Sequence, residues 1–508
     1  MRALIFHGYL LRGTGSNVYN ANLAQALVQL GWDVHLLCQD RDAGELPWVH
    51  GVGSWRGAEL RVQQLREPEG GGRLTVYVPD IAGLLPVYVR DRYPGVKVKT
   101  FPELSEAELD RYVAANVSAV REVAAVAGGV DAALANHLVM GPLVLARAGL
   151  QFAAKIHGSA LEYTVKPNPR FLPHAEEGMA AARCVLVGSR HTAESLWQTL
   201  PGLDLERRTR LGPPGVDTRG FAPLEPPAAV ASLRSLADEL RGAQDEGLGR
   251  DSSAAAMAVD RFADAGGPRV AFVGKLIVSK GVDLLLAAWP LVVAANPGAR
   301  LLLVAFGAYE GALRRLLAAL ERGDRSEALE VAALGRALEG GPRAPLRILE
   351  RFLSDPPPAY ADAARAAAGS VLFAGRLEHD EVARLLPAAE ALVMPSTFPE
   401  SFGMVAVEAA ACGALPVVAA HSGMLEASSR LAEALPDDIA SLLSFPVDSG
   451  AVEAIAQRLN AWLEVEPGRR REISALLTRR VDELWSWEGV ARGVIAASQG
   501  RLEELPEP

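Results

Sequence analysis

At 508 residues the chain is longer than one ordinary hydrophobic core serves, so two domains are expected. Half of its residues are hydrophobic and 22% charged, the proportions of a soluble globular protein, and a net charge of −10 argues against a dedicated nucleic-acid binder, whose phosphate contacts need basic surface. Cys38, Cys184 and Cys412 are scattered in apolar stretches with no CxxC pair, which gives neither a disulfide framework nor a zinc site and fits a reducing, cytoplasmic setting.

In chain order, MRALIFHGYL has too short an apolar run for a secretory signal and reads as a first strand, Ala3–Phe6. No stretch reaches about 18 uninterrupted apolar residues, so no membrane span is expected, and peripheral membrane contact stays open. A Gly-rich loop, Leu11–Ser16, precedes a helix from about Asn17 to Leu30, which Gly31 stops, and a strand at Asp33–Cys38. Within that loop Gly13 and Gly15 permit close backbone approach to phosphate or sugar. The G-x-G-x-x-G dinucleotide spacing fails, since position 18 is valine, and Asp40 after the second strand does not by itself make an NAD site. In Val87–Lys99, the cations Arg90, Arg92, Lys97 and Lys99 stand beside Tyr88 and Tyr93, either as a solvated loop with aromatic packing or facing lipid headgroups. Strands are expected at Ala132–Leu134, Phe152–Ile156 and Cys184–Val187. Asn136 and His137 line an acceptor cleft or shape a Gly-Pro turn, and His157 closes a strand ahead of Gly158 and Ser159.

A boundary falls near Gly212-Pro-Pro-Gly-Val-Asp217, where Pro and Gly interrupt regular structure. The Ala/Pro/Asp-rich stretch Pro223–Gly267 reads as a helical or partly mobile insertion. A second sheet is expected from Arg269–Val273, Arg300–Val304, Ser370–Phe373, Ala391–Met394 and Leu415–Ala419, with a second insertion at about Glu321–Ala368. Strands alternating with amphipathic helices in both halves imply parallel sheets covered by helices. After the first of these strands come Lys275 and Lys280, either solvated loop lysines or fixed cations for a departing diphosphate. Phe306-Gly307 and Gly375-Arg376 follow two other strands. In ALVMPSTFPESFGMVAVEAAACGALPVV a buried strand leads to Pro399-Glu400-Ser401, a helix from about Phe402 to Cys412 and a stop at Gly413. Ligands of open parallel sheets bind at the carboxyl ends of the strands, and the N–H groups of a helix start attract diphosphate. Gly403 removes a side chain at that start. Two carboxylates there are surface charges, or they accept from hydroxyls on either side: sugar at Glu400, ribose at Glu408. From Arg471 the pattern is helical, fraying into LEELPEP.

PESFGMVAVEAAACG resembles the E-x7-E signature of retaining glycosyltransferases of the GT-B fold, family 4, the glycogen-synthase/mannosyltransferase-like group. VAFVGKLIVSKGVDLLLAAW is similar to that family's G-[R/K]-L-x(3-4)-K-G-x-D-x-L-L motif, with Lys275 where arginine is common. The resemblance covers most of the chain outside the two insertions. It implies an α/β fold of two Rossmann-like domains facing across a cleft: residues 1–212 for the acceptor and 213–480 for a nucleotide-sugar donor, with insertions about 223–267 and 321–368. Residues 481–508, with Trp485-Ser-Trp487-Glu488, are then a helix crossing back to the N-domain.

The same resemblance implies that Glu400 contacts the transferred sugar and Glu408 the ribose. The amides of Ser401, Phe402, Gly403, Met404 and Val405 hold sugar and diphosphate. Lys275 and Lys280 bind the diphosphate, Gly375 and Arg376 lie against the nucleobase, and Phe306 and Gly307 line the nucleotide side. Gly13 and Gly15 serve phosphate, His157 touches the donor sugar, and Asp283 orients its helix. The expected activity is metal-independent, cofactor-free transfer of a hexose from a UDP-, GDP- or ADP-sugar, with retention. The acceptor hydroxyl belongs to a saccharide, a small molecule or a lipid-linked molecule, and oligomeric state stays open. The rival readings are a sugar-nucleotide epimerase of the same architecture, a noncatalytic nucleotide-sugar-binding module and an NAD-dependent dehydrogenase.

Overall fold

Along the first strand, Arg2–Phe6, alternate side chains part: Ala3 and Ile5 enter one core, Leu4 and Phe6 another. That period of two is what a strand covered on both faces requires. In the computed structural model, which describes residues 1–12, 15–57, 59–68, 70–88, 97–243 and 250–508, this strand is the centre of a nine-stranded sheet. The order is Thr209–Leu211, Cys184–Val187, Ala153–Lys155, Ala132–Asn136, Arg2–Phe6, Asp33–Leu37, Leu74–Tyr77, Gly51–Arg56, Glu59–Gln64. Every neighbouring pair is parallel except the last, Gly51–Arg56 with Glu59–Gln64. Helices Gly15–Gln29 and Trp487–Gln499 share the Ala3/Ile5 core, while Glu106–Val126 and Gly141–Ala148 share the other.

The chain divides into two compact units, Met1–Gly215 with Trp485–Pro508, and Val216–Leu484. In the second unit six parallel strands run Val371–Gly375, Arg300–Phe306, Arg269–Lys275, Ala391–Met394, Leu415–Ala419, Ser444–Phe445. The helix Val282–Ala295 is apolar nearly all round and correspondingly buried. Trp289 Nε1 donates to Ser370 Oγ at 2.8 Å, and Tyr360, from the inserted segment, donates to the Ala287 carbonyl at 2.7 Å. Both stretches read as insertions are thus built into the unit. The first supplies the helices Pro226–Gly242 and Ser252–Ala263, which pack together; residues 244–249 lie outside the described ones.

Several expectations need correcting. Gly51–Arg56, Glu59–Gln64, Leu74–Tyr77 and Thr209–Leu211 are strands that the hydrophobic pattern did not announce. The tail does not fray: Leu502–Glu504 forms a 3-10 turn, and the Leu211 amide donates to the Pro506 carbonyl at 2.7 Å. The helix expected from Phe402 begins at Met404 and ends at Ala411. Gly403, at φ +94°, is in left-handed backbone that a helix interior does not accept, so Phe402 and Gly403 belong to the loop.

Candidate functional site

The central strand of the second sheet, Arg269–Lys275, has Arg300–Phe306 on one side and Ala391–Met394 on the other. The chain moves outward to Val371–Gly375 and then returns past the centre, so the loops after residues 275 and 394 leave neighbouring strands at the point where the order reverses. A parallel sheet opens a crevice at such a point. Here the two loops meet. The Thr397 amide donates to the Ser279 carbonyl at 2.9 Å, and Gly281, at φ +63°, would place a Cβ 2.0 Å from the Pro395 carbonyl oxygen. No side chain fits there.

Their contact brings Lys280 to Glu400. The ammonium donates to Glu400 Oε1, with both side chains 23% exposed, and Ser396 Oγ donates to the same oxygen at 2.9 Å. The Glu400 main chain is pinned as well: its amide donates to Ser422 Oγ at 2.9 Å and its carbonyl accepts from the Gly423 amide at 3.0 Å. His421 Nε2 donates to the Ser396 carbonyl at 2.8 Å. His421 and Ser422 escaped the sequence reading, although they directly follow the buried strand Leu415–Ala419. Lys275 ends the central strand in register with Phe306, and Val304 pairs with Gly375, so Lys275, Phe306 and Gly375 share one sheet edge. The Arg376 guanidinium lies 5.8 Å from the Phe306 ring centre and 3.0 Å from Glu378 Oε1.

Glu408 is 3% exposed on the helix Met404–Ala411. Its partner is a residue that no motif pointed to, His379, whose Nε2 donates to Glu408 Oε1 at 2.8 Å. The His379 ring lies 4.9 Å from that of Phe221. Burial pulls the imidazole pKa down, but the hydrogen bond and charge of Glu408, with Asp217 and Asp380, outweigh it and lift the value above 6.5. Among the expected nucleotide-loop residues, Ser401 and Met404 are half-buried, Phe402 is buried, and Gly403 and Val405 flank the helix start. Asp283, 3% exposed, lies in the first turn of Val282–Ala295, where burial raises its carboxyl to about 7.

The strand ends of the first unit carry a different chemistry. His157 Nε2 donates to Asn136 Oδ1 at 2.7 Å; Asn136 and Asn20 exchange amide hydrogen bonds at 2.8 and 3.2 Å; Asn20 donates to His7 Nδ1 at 3.1 Å. His7 Nε2 in turn donates to Asn17 Oδ1 and to the Leu10 carbonyl. The ring of His137 sits 4.9 Å from that of His157 and 4.2 Å from that of Tyr88. Burial lowers His7 to about 4, His137 and His157 well below 6.5, and Lys155, which donates to the Gly212 carbonyl, to about 7. Lys155 was not anticipated. Gly13 lies outside the described residues, and Gly15 opens its helix in an exposed position. Asp40 is taken up inside the unit by the Leu11 amide and Arg12 at 3.3 and 3.5 Å, which removes it as a ribose-binding acid. Of the basic–aromatic stretch 87–99, residues 89–96 lie outside the described ones; Tyr88 stacks on Phe101 and Lys99 pairs with Glu108 at 2.7 Å. Among the described residues no helix is long and apolar enough to cross a membrane.

Residues 361–475 match the family described as "Glycosyl transferases group 1". The chain is 26% identical over 282 residues to the GDP-mannose-dependent monoacylated alpha-(1-6)-phosphatidylinositol monomannoside mannosyltransferase of Corynebacterium glutamicum, covering 54% of this chain and 52% of the relative. It is 28% identical over 353 residues to the D-inositol 3-phosphate glycosyltransferase of Geodermatophilus obscurus, 69% of this chain and 60% of the relative. The chain therefore spans about half the length of the curated relatives it matches. In three dimensions it is similar to sucrose-phosphate synthase of Thermosynechococcus elongatus, with a TM-score of 0.56 at 19% identity, covering 99% of this chain and 98% of that one. It is similar also to Anabaena HepE in complex with UDP and glucose, with a TM-score of 0.56 at 15% identity, covering 99% and 100%. These likenesses give the chain the GT-B fold.

Proposed function

We propose that this chain, whose residues 361–475 belong to the Glycosyl transferases group 1 family, is a glycosyltransferase that moves a hexose from a nucleoside-diphosphate sugar to an acceptor hydroxyl with retention of configuration. One observation carries the reading: Lys280 and Ser396 both donate to Glu400 Oε1 at the switch point of the second sheet, on the loop that leads into the helix bearing the buried Glu408. A carboxylate so buried calls for a donor, and a ribose hydroxyl supplies one. Lys275, Lys280 and the first-turn amides of Met404 and Val405 hold the diphosphate, whose negative charge grows as the bond from the anomeric carbon to the phosphate oxygen breaks. Glu400 accepts from a sugar hydroxyl. The acceptor oxygen forms the new bond on the face the phosphate leaves, and its proton passes to the departing phosphate oxygen. Arg376 and Phe306 offer a flat cationic and aromatic surface to the base.

The acceptor function is assigned to the first unit, and His157 is read as a hydrogen-bonding group for the donor sugar. The reaction needs no metal in this reading because the two lysines carry the charge, and the enzyme works in the cytoplasm. Support for a nucleotide sugar comes from the relatives: the mannosyltransferase is named for GDP-mannose, and HepE was solved with UDP and glucose. The test is thermal shift with UDP-, GDP- and ADP-sugars, followed by nucleoside-diphosphate release with and without acceptors. Stabilisation by one donor and acceptor-dependent release are expected. Failure of all three donors to bind would sink the proposal, and release of a changed sugar nucleotide without acceptor would point to an epimerase.

A further inference from the structure

The loop 276–281 carries Lys280, and four amide hydrogen bonds fasten its backbone to neighbouring segments. The Leu276 amide donates to the Phe306 carbonyl at 2.8 Å, and the Leu276 carbonyl accepts from the Tyr309 amide at 3.0 Å. The Ser279 carbonyl accepts from Thr397, and Gly281 abuts Pro395. Three of the four hydrogen bonds are main chain to main chain. The fourth is different: the Val278 amide donates to Oε2 of Glu339 at 2.7 Å, and Glu339 comes from the inserted segment.

That carboxylate is itself well placed. Its side chain is 12% exposed, and Arg336 Nε donates to the other oxygen at 3.3 Å. The short turn Arg336–Glu339 is anchored by Gly335, at φ +49°, whose Cβ position would lie 2.0 Å from the Ala344 carbonyl oxygen, and by the Leu346 amide donating to the Ala332 carbonyl at 2.8 Å. The segment holds to the helix behind the loop through Tyr360 and the Ala287 carbonyl. An insertion that merely decorated the surface would have no reason to send a mostly buried carboxylate to an amide two residues from Lys280.

Resting on the reading of the loop as diphosphate-binding, we infer that Glu339 is a positioning residue for the donor site: by holding the Val278 amide it fixes the turn Val278–Lys280 and so the reach of Lys280 toward Glu400 and the diphosphate. An uncharged acceptor of the same length can make this bond, whereas a shortened or absent side chain cannot. Removing it frees the loop without touching the sheet.

The experiment uses the full chain and its Glu339→Ala and Glu339→Gln variants, with two readouts. Hydrogen exchange at the Val278 amide is expected to quicken about tenfold in Glu339→Ala and to stay near wild type in Glu339→Gln. Calorimetry with UDP, GDP and ADP in turn is expected to show about tenfold weaker binding in Glu339→Ala, with a higher KM for the donor sugar, and recovery in Glu339→Gln. Unchanged exchange at residues 276–281 in Glu339→Ala overturns the inference, as does equal loss of binding in both variants, because charge rather than the hydrogen bond would then matter. If none of the three nucleotides binds wild type, the glycosyltransferase reading falls while exchange still decides the role of Glu339. Should Glu339→Ala not fold, Glu339→Asp, one methylene short, is expected to show the same quickened exchange, and normal protection in it overturns the inference.

Discussion

The two sheets end in loops of similar placement but opposite electrical character. In the first unit desolvation drives His7, His137, His157 and Lys155 each toward its neutral form. In the second unit His379 is half-buried, and the hydrogen bond and charge of Glu408, with the charges of Asp217 and Asp380, outweigh its desolvation and hold its proton. Lys280 there keeps Glu400 as counter-charge. Desolvation therefore leaves a neutral hydrogen-bonding network in one unit, while neighbouring carboxylates keep His379 charged in the other. A neutral network suits recognition of an uncharged hydroxyl compound. In the proposed function the diphosphate is met by the cations of the second unit, Lys275 and Lys280.

The comparison breaks most easily at Lys280. Lys280→Ala is expected to lower kcat about 100- to 1000-fold in steady-state nucleotide-release assays, since it removes a fixed cation from the growing phosphate charge. A rate near wild type would leave the charged cluster without a catalytic purpose. Glu408→Ala is expected to weaken nucleoside-diphosphate binding about 10- to 100-fold by calorimetry, with kcat at saturating donor much less affected. In the first unit Asn136→Leu removes the hydrogen-bond partner of Asn20 and His157, and urea unfolding of that unit is expected to shift by about 2–3 kcal/mol. A neutral change in stability would mean that the network is solvated and not a buried scaffold.

The subtlest test is one of sign with pH. Protonated His379 gives stability that is fully present below about 6.5 and is lost as pH rises through its raised folded value. The destabilisation of His379→Gln should accordingly be largest in acid and fade upward. Lys155 behaves oppositely: its folded value near 7 lies below the ordinary 10.5, so stability present above 10.5 is lost as pH falls through that window. Lys155→Met should gain on wild type as pH drops from about 10.5 to 7, read by Tm across buffers.

Much of the charged cluster was legible because it is local in sequence. Lys275 and Lys280 end and follow one apolar strand, and Glu400 precedes the short helix that carries Glu408, so spacing alone nominated them. His379 was not, because it meets Glu408 only after the chain has crossed the sheet; its place four residues beyond Gly375, at another strand end, was the available signal. Lys155 was hidden by a sound prior, since lysine is seldom buried. Glu59–Gln64 has largely exposed side chains at the sheet edge, so no apolar alternation marked it. The start of the helix at Met404 depended on the backbone angle of Gly403, which composition does not disclose.

The first unit is stitched from both ends of the described chain: Trp487–Gln499 packs against the first helix, and Pro506 closes on the edge strand Thr209–Leu211. On the ribosome, Val216–Leu484 can therefore complete its contacts while Met1–Gly215 still waits for the segment that seals it. The unit begun first thus receives its closing contacts from the segment made last.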